Sequence, residues 1–381
     1  MVVLAFAADP ALGGSTGGPP ILFAGGITKK SALASAEVFK SSGSFVATGA
    51  MNTARVGHTA TDLQNGRVLV AGGASKMFGA GRKIFASAEI YNASKKRFSN
   101  TGAMLEARTG HTATLLASSK VLIACGDDGT TSLTDSELYD PASAKFTETG
   151  AMSIGRDQCT ATLLANGKVL IAGGFQLLPD FSGSVLDTAE IYDPASGLFS
   201  STVTMTSARQ GPTATLLPDG KVLITGGVDN NQNVLDTAEL YDPVTGEFSA
   251  AGHMTTSRYA HLAAVLGDGD VLIAGGIDNA GSSLASAEIF DANSGSFGAI
   301  AAMPRDRFRV GATVLTSSTI LIAGGYTQCP SSALSFCEKP VSTALIFDHK
   351  TDTFRSIAPM TSPRGTFASA SLLGHFGGGH Q

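Results

Sequence analysis

The stretch Arg258-Tyr259-Ala260-His261 sets a cation, a phenol and an imidazole side by side. Those groups suffice for proton transfer, with Tyr259 and His261 as acid and base and Arg258 or Arg309 holding a substrate carboxylate. Asp128, Asp229 and Asp278 each stand two residues after a Gly-Gly or Cys-Gly doublet. Aspartates so placed suit sugar hydroxyls or a calcium ion, and equally suit the capping of a turn, which is the plainer reading. Asp157, next to Gln158 and Cys159, and Tyr326, at the head of the insert "YTQCPSSALSFCEKP", complete the candidate ligand-binding set.

Other chemistries find no motif. The chain has no Cys-x-x-Cys, no close histidine pair, no phosphate-cradling glycine loop and no Gly-x-Ser-x-Gly elbow. No metal site is expected, and calcium is the one cofactor left open.

The composition narrows the partners. The 381 residues are 43% hydrophobic and carry a net charge of −5 without acidic or basic blocks, which argues against nucleic acid and anionic membranes. No apolar run approaches the roughly 18 residues needed to span a bilayer. The opening "MVVLAFAADP" ends in small residues like a leader's cleavage site, yet it lacks a basic start; a strand is the preferred reading and a leader remnant the alternative.

Positioning is dictated by repetition. The strings "ILFAGG", "VLVAGG", "VLIAGG", "VLITGG", "VLIAGG" and "LIAGG" end at Gly26, Gly73, Gly174, Gly227, Gly276 and Gly325, and a degenerate "VLIACG" ends at Gly126. Their spacing averages about 50 residues. After each doublet come a loop of variable length, a segment like "TAEIYDPASGLF" (188–199), a Met with an Arg nearby, and a strand like "TATLL" that returns through a short turn. The "VLIAGG" run suits a strand buried on both faces, and the doublet permits close backbone approach.

This grammar resembles the kelch repeat over nearly the whole chain, with Phe45, Phe98, Phe146, Phe199, Phe248, Phe297 and Phe354 where kelch repeats commonly carry Trp. The resemblance implies an all-β fold: a seven-bladed propeller of four-stranded antiparallel blades, similar to the central propeller of galactose-oxidase-like proteins. Residues 21–373 form the ring, with 1–20 a strand or leader remnant plus linker and 374–381 a flexible tail, so that His375 and His380 read as tail residues. The segment "RGTFASASLL" (364–373) is expected to pair with residues 21–24 and close the ring in one blade. The longer loops after the doublets place the functional face on one side, here called upper.

Within the repeat, Arg55, Arg108, Arg156, Arg209, Arg258, Arg309 and Arg364 are expected to pair with Glu37, Glu89, Glu137, Glu190, Glu239 and Glu288 between blades. The seventh repeat has Leu345 in the glutamate place, which leaves one arginine less neutralised there. His58, His111 and His261 are expected to hydrogen-bond between blades. The kelch family includes copper-radical oxidases, which need two tyrosines, one bonded to a cysteine, and two histidines. Tyr259, Tyr326, His261 and Cys329 supply only a superficial quartet.

Cys329 and Cys337 are expected to bridge within their loop, while Cys125 and Cys159 read as buried free thiols in preference to a bridge. The function expected is a secreted or surface-attached monomer binding a glycan or protein through its upper loops. The alternatives are a carbohydrate-active lyase, epimerase or oxidase using Tyr259 and His261, and a cytoplasmic interaction scaffold.

Overall fold

The computed structural model describes residues 18–28, 31–79, 81–201, 203–328 and 338–371. These form seven four-stranded antiparallel sheets arranged as the blades of a propeller, with two small hairpins on the upper side. Strands are counted outward from the central channel. Blade 4 is typical: Thr160–Leu163, Val169–Ala172, Ala189–Asp193 and Leu198–Ser201 pair in that order. The second strand is the fully buried "VLIA" run, whereas the fourth, "LFSS", is largely exposed and keeps only its phenylalanine partly covered.

The ring closes as expected. Ile21–Ala24 is flanked by Ala36–Phe39 on one side and by Ala368–Ser371 on the other, with Ile21 opposite Ser371 and Ala24 opposite Ala368. Blade 1 therefore takes its innermost strand from the end of the chain. Blades 2 to 7 span residues 59–100, 112–148, 160–201, 213–253, 262–300 and 311–357. The residues 1–17 and 372–381, the loop holding Cys329 and Cys337, and His375 and His380 lie outside the described residues.

Three repeated contacts hold the blades. In every blade the phenylalanine of the fourth strand packs on an aromatic of the third, with ring centroids 4.7 to 5.0 Å apart. The second glycine of each doublet adopts a positive φ, and its N–H donates to the carbonyl of the arginine that leads into the next blade. That arginine is fully buried and pairs with the glutamate on the third strand of the blade it enters, as in Arg55–Glu89 (3.2 Å), Arg108–Glu137 (3.0 Å) and Arg364–Glu37 (2.7 Å). The same carboxylate accepts backbone N–H groups of the incoming linker, such as Asn52 and Thr53 on Glu89. The clamp thus staples each linker to the blade that follows it.

The seventh clamp corrects the register read from sequence. Arg307, not Arg309, accepts Gly276 N–H on its carbonyl and occupies the buried ring position. Opposite it stands Leu345, so its guanidinium donates only to Gly324 O, Thr343 O and Thr343 Oγ1. Burial pulls its pKa down to about 10, countered by Asp306 and reinforced by Arg305. The linker has adapted too. Where Thr255 donates its N–H to Glu288, blade 7 has Pro304, which has no N–H to leave orphaned.

The cysteines differ from expectation. Cys125 and Cys159 form a disulfide, with Cα atoms 6.7 Å apart. At three other seams the first doublet glycine faces the histidine of the next blade: a Cβ on Gly25 would lie 2.5 Å from His58 Cε1, one on Gly72 would lie 2.7 Å from His111 Cε1, and one on Gly226 would lie 2.9 Å from His261 Cε1. Blade 3 replaces that glycine and blade 4 that histidine, so the two substitutions meet at one seam. Cys125 keeps the glycine's left-handed backbone, with φ 61°.

Candidate functional site at the upper mouth of the channel

Each linker arginine is followed by two residues that form the rim of the channel. The tripeptides, from blade 2 around to blade 1, begin at Arg55, Arg108, Arg156, Arg209, Arg258, Arg307 and Arg364. The third member of every one has positive φ and lines a funnel of about 570 Å³. Gly57, Gly110 and Gly211 satisfy that backbone without strain. Gln158 (φ 50°), Ala260 (φ 53°), Arg309 (φ 49°) and Thr366 (φ 46°) do not, and each non-glycine residue there costs on the order of 1–2 kcal/mol. Backbone strain of this kind clusters at active sites and ligand clamps.

The second members Thr109, Asp157, Gln210 and Tyr259 also line the funnel. Asp157 is buried; its Oδ2 accepts from Gln158 Nε2 at 3.1 Å, while Oδ1 has no hydrogen-bond partner. Burial raises its pKa to about 6, opposed by the Gln158 hydrogen bond and reinforced by the charge of Asp127. Asp127 is buried in the same wall, accepts Gly129 N–H on Oδ1 at 2.9 Å and lies 3.6 Å from Arg82 Nη1. Its own pKa is raised by burial, against the pull of Arg82. Two upper loops overhang the opening and bring Met77, Phe78, Arg82, Leu177 and Phe181 to it. Phe78 and Phe181 are 77% and 71% exposed, an unusual placing for two phenylalanines at one cavity.

Of the residues singled out in the sequence, the funnel gathers Tyr259, Asp157, Arg309 and His261. His261 nonetheless serves the seam. Its Nε2 is shared by Thr213 and Thr225 hydroxyls of blade 5, each at 3.0 Å, and burial, with Arg258 nearby, lowers its pKa to about 3. A ring so committed is unsuited to be the base partner of Tyr259. His58 reaches Ala24 O and His111 reaches Thr59 Oγ1 across their own seams. Arg258 is fully buried against Glu288 at 2.6 Å and is unavailable to a substrate carboxylate.

Tyr326 also departs from expectation: it is buried and stacked on Phe308, and its hydroxyl accepts from Thr366. Asp128, Asp229 and Asp278 cap their own loops, accepting the N–H groups of Thr130 and Thr131, Asn231 and Asn233, and Ala280 and Ser282. They stay in three separate loops and do not gather about one cation. With Tyr326 packed in the core and His261 tied to threonines, the quartet a copper-radical site would need does not assemble among the described residues.

Sequence reasoning missed Asp127, Arg82, Gln158, Thr366, Phe78 and Phe181. Asp127 did carry a signal. It is the one acidic residue at a place that other blades fill with Ile27, Ala74, Phe175, Val228, Ile277 and Tyr326.

Comparison with known proteins agrees with this architecture. The family model described as "Kelch motif" matches residues 212–255, which is blade 5. No curated protein matches the sequence. A fungal alcohol oxidase of the AA5 family, in complex with copper, superposes with TM-score 0.64 at 17% identity, over 81% of this chain and 66% of the oxidase. The chain thus spans just under two thirds of that enzyme's length. YjhT superposes with TM-score 0.59 at 12% identity, over 80% of this chain and 97% of that protein. No helix among the described residues is long and apolar enough to cross a membrane.

Proposed function

We propose that this seven-bladed kelch-type propeller is a recognition module whose upper funnel takes a carbohydrate. The observation that carries the reading is the rim itself: Gln158, Arg309 and Thr366 present functional side chains from left-handed backbone where other blades keep glycine. Phe78 and Phe181 supply flat apolar faces for the C–H surface of a sugar ring, and Asp127, Asp157, Gln210 and Tyr259 supply hydrogen-bonding groups for its hydroxyls. The Cys125–Cys159 bridge fits an oxidising compartment, so secretion or surface attachment is part of the proposal. The test is a thermal-shift screen of soluble neutral and acidic oligosaccharides. A ligand that raises the melting temperature of the wild type and fails to do so for Arg309→Gly supports the reading; no response to any glycan removes it, and a protein ligand then takes precedence.

One observation favours an enzyme as the second reading. Asp157, with a pKa near 6 beside Asp127 and in the same wall as Tyr259, has the protonation behaviour of a general acid working near neutral pH. Turnover of a uronic-acid polymer that is lost in both Asp157→Asn and Tyr259→Phe would establish it.

A further inference from the structure

The lower face holds a second cluster of functional groups, at the seam between blades 6 and 7. In the turn between first and second strands, the repeat places a cation at Arg67, Lys120, Lys168 and Lys221. Lys168 shows why: its ammonium meets Asp193, at the end of the third strand, at 3.0 Å. Blade 6 reverses the charge with Asp270. After the third strand, blades 2 to 6 carry Ala93, Pro141, Pro194, Pro243 and Ala292, and blade 7 carries His349. Neither substitution is required by the repeat, and folding brings the two together.

Asp268, Asp270 and His349 each offer one ligand atom, and these atoms lie within 4.8 Å of one another. His349 Nε2 is 2.8 Å from Asp268 Oδ2, while its Nδ1 is 2.8 Å from Asp352 Oδ1. The Asp352 contact is the outer-shell support typical of a ligating imidazole, since it fixes ring orientation and directs Nε2 at the two other carboxylates. Asp270 Oδ1 is held by Ala292 N–H at 3.0 Å, which orients that carboxylate toward the same space. One imidazole with two carboxylates is a donor set for a divalent first-row ion such as zinc.

We propose that Asp268, Asp270 and His349 form a zinc-class divalent cation site that ties blade 6 to blade 7 on the face opposite the funnel. Binding replaces the His349–Asp268 hydrogen bond with two bonds to the ion and leaves Asp352 on Nδ1.

The experiment is calorimetric titration of the chelator-treated full chain with zinc chloride, beside the variants Asp270→Lys, which restores the repeat's residue, and His349→Gln. The wild type is expected to bind one equivalent that both variants weaken at least about tenfold, with Asp352→Asn weakening it by a similar factor. Zinc should also raise the wild-type melting temperature, and the Asp270→Lys variant should melt cooperatively and show no such rise. The double variant His375→Gln/His380→Gln controls for the tail and should bind as the wild type does. Undiminished affinity in Asp270→Lys, binding lost with the tail histidines, or no saturable zinc binding by the wild type would each overturn the assignment.

Discussion

Cys125 and Cys159 are bonded across the seam between blades 3 and 4, in the two places that glycine and histidine fill at three other seams. The cross-link therefore substitutes for a packing contact. It closes a segment with a sequence separation of 34, for which the chain-entropy relation gives about 4 kcal/mol. Cys125→Ser/Cys159→Ser should lose stability on that scale in denaturant unfolding. The double variant Cys125→Gly/Cys159→His, which rebuilds the repeat and relieves the left-handed cysteine, should recover part of it. A reducing agent should shift the wild-type midpoint by more than that of the second variant, which keeps only Cys329 and Cys337; a wild-type midpoint indifferent to reduction would refute this account.

The arginine clamps divide into two kinds. Removing one partner of a buried ion pair strands the other charge, so Arg55→Met should cost about 3–5 kcal/mol by leaving Glu89 buried without its counter-charge, held only by the linker N–H groups. Arg307 faces Leu345, and its removal strands no carboxylate. Arg307→Met should fall within about 1 kcal/mol of wild type or exceed it, because an apolar side chain in that place avoids the desolvation of a guanidinium. Equal losses for the two variants, by chemical unfolding, would contradict the distinction.

Arg309→Gly separates strain from use. Glycine relieves the backbone at φ 49° but adds freedom to the unfolded chain, so stability should be unchanged or rise by up to about 1 kcal/mol. Glycan affinity should fall. A variant that is more stable and binds as well as wild type would show that the arginine has no part in recognition.

Asp157 sets a pH dependence of known sign. Its folded pKa of about 6 exceeds the ordinary 3.8, so the folded state favours the protonated form, and stability falls as pH rises from about 4 through 6. Above that window the penalty is complete, roughly 2–3 kcal/mol. Asp157→Asn should match wild type near pH 4 and become more stable by about that amount near pH 7.5. Asp62, whose pKa burial likewise raises to about 6, is untouched by the variant and serves as an internal background. Superimposable stability curves across this range would exclude the assignment.

The ring was legible in the sequence because its determinants are local and repeated: doublet, aromatic pair and linker arginine recur in order. The site was legible only in part, since it is built from departures, and a departure has meaning only in the right register. Arg309 stands two residues from Arg307, and the register that separates them lies in the spacing from the linker methionine: Arg307 follows Met303 by four residues, as Arg258 follows Met254, and the contact of Gly276 N–H with the Arg307 carbonyl agrees. Asp127 and not Asp128 faces the channel, and an Asp-Asp pair in sequence does not declare which member does so. Phe78 and Phe181 lie in loops without repeat spacing, where sequence offers no phase. The Cys125–Cys159 bridge joins neighbouring blades, and its pairing requires knowing that a doublet faces the next blade's histidine.

The Arg364–Glu37 clamp is built like the five that join consecutive parts of the chain, although its two residues are separated by 327 positions. The fold is consequently a hoop with no end unit. A stack of repeats needs special caps where its neighbours run out; here each blade, the closing one included, has a neighbour on both sides. Loss of any one seam then converts the hoop into an arc with two exposed faces, so injury at a single interface is felt by all seven blades rather than by the adjoining two.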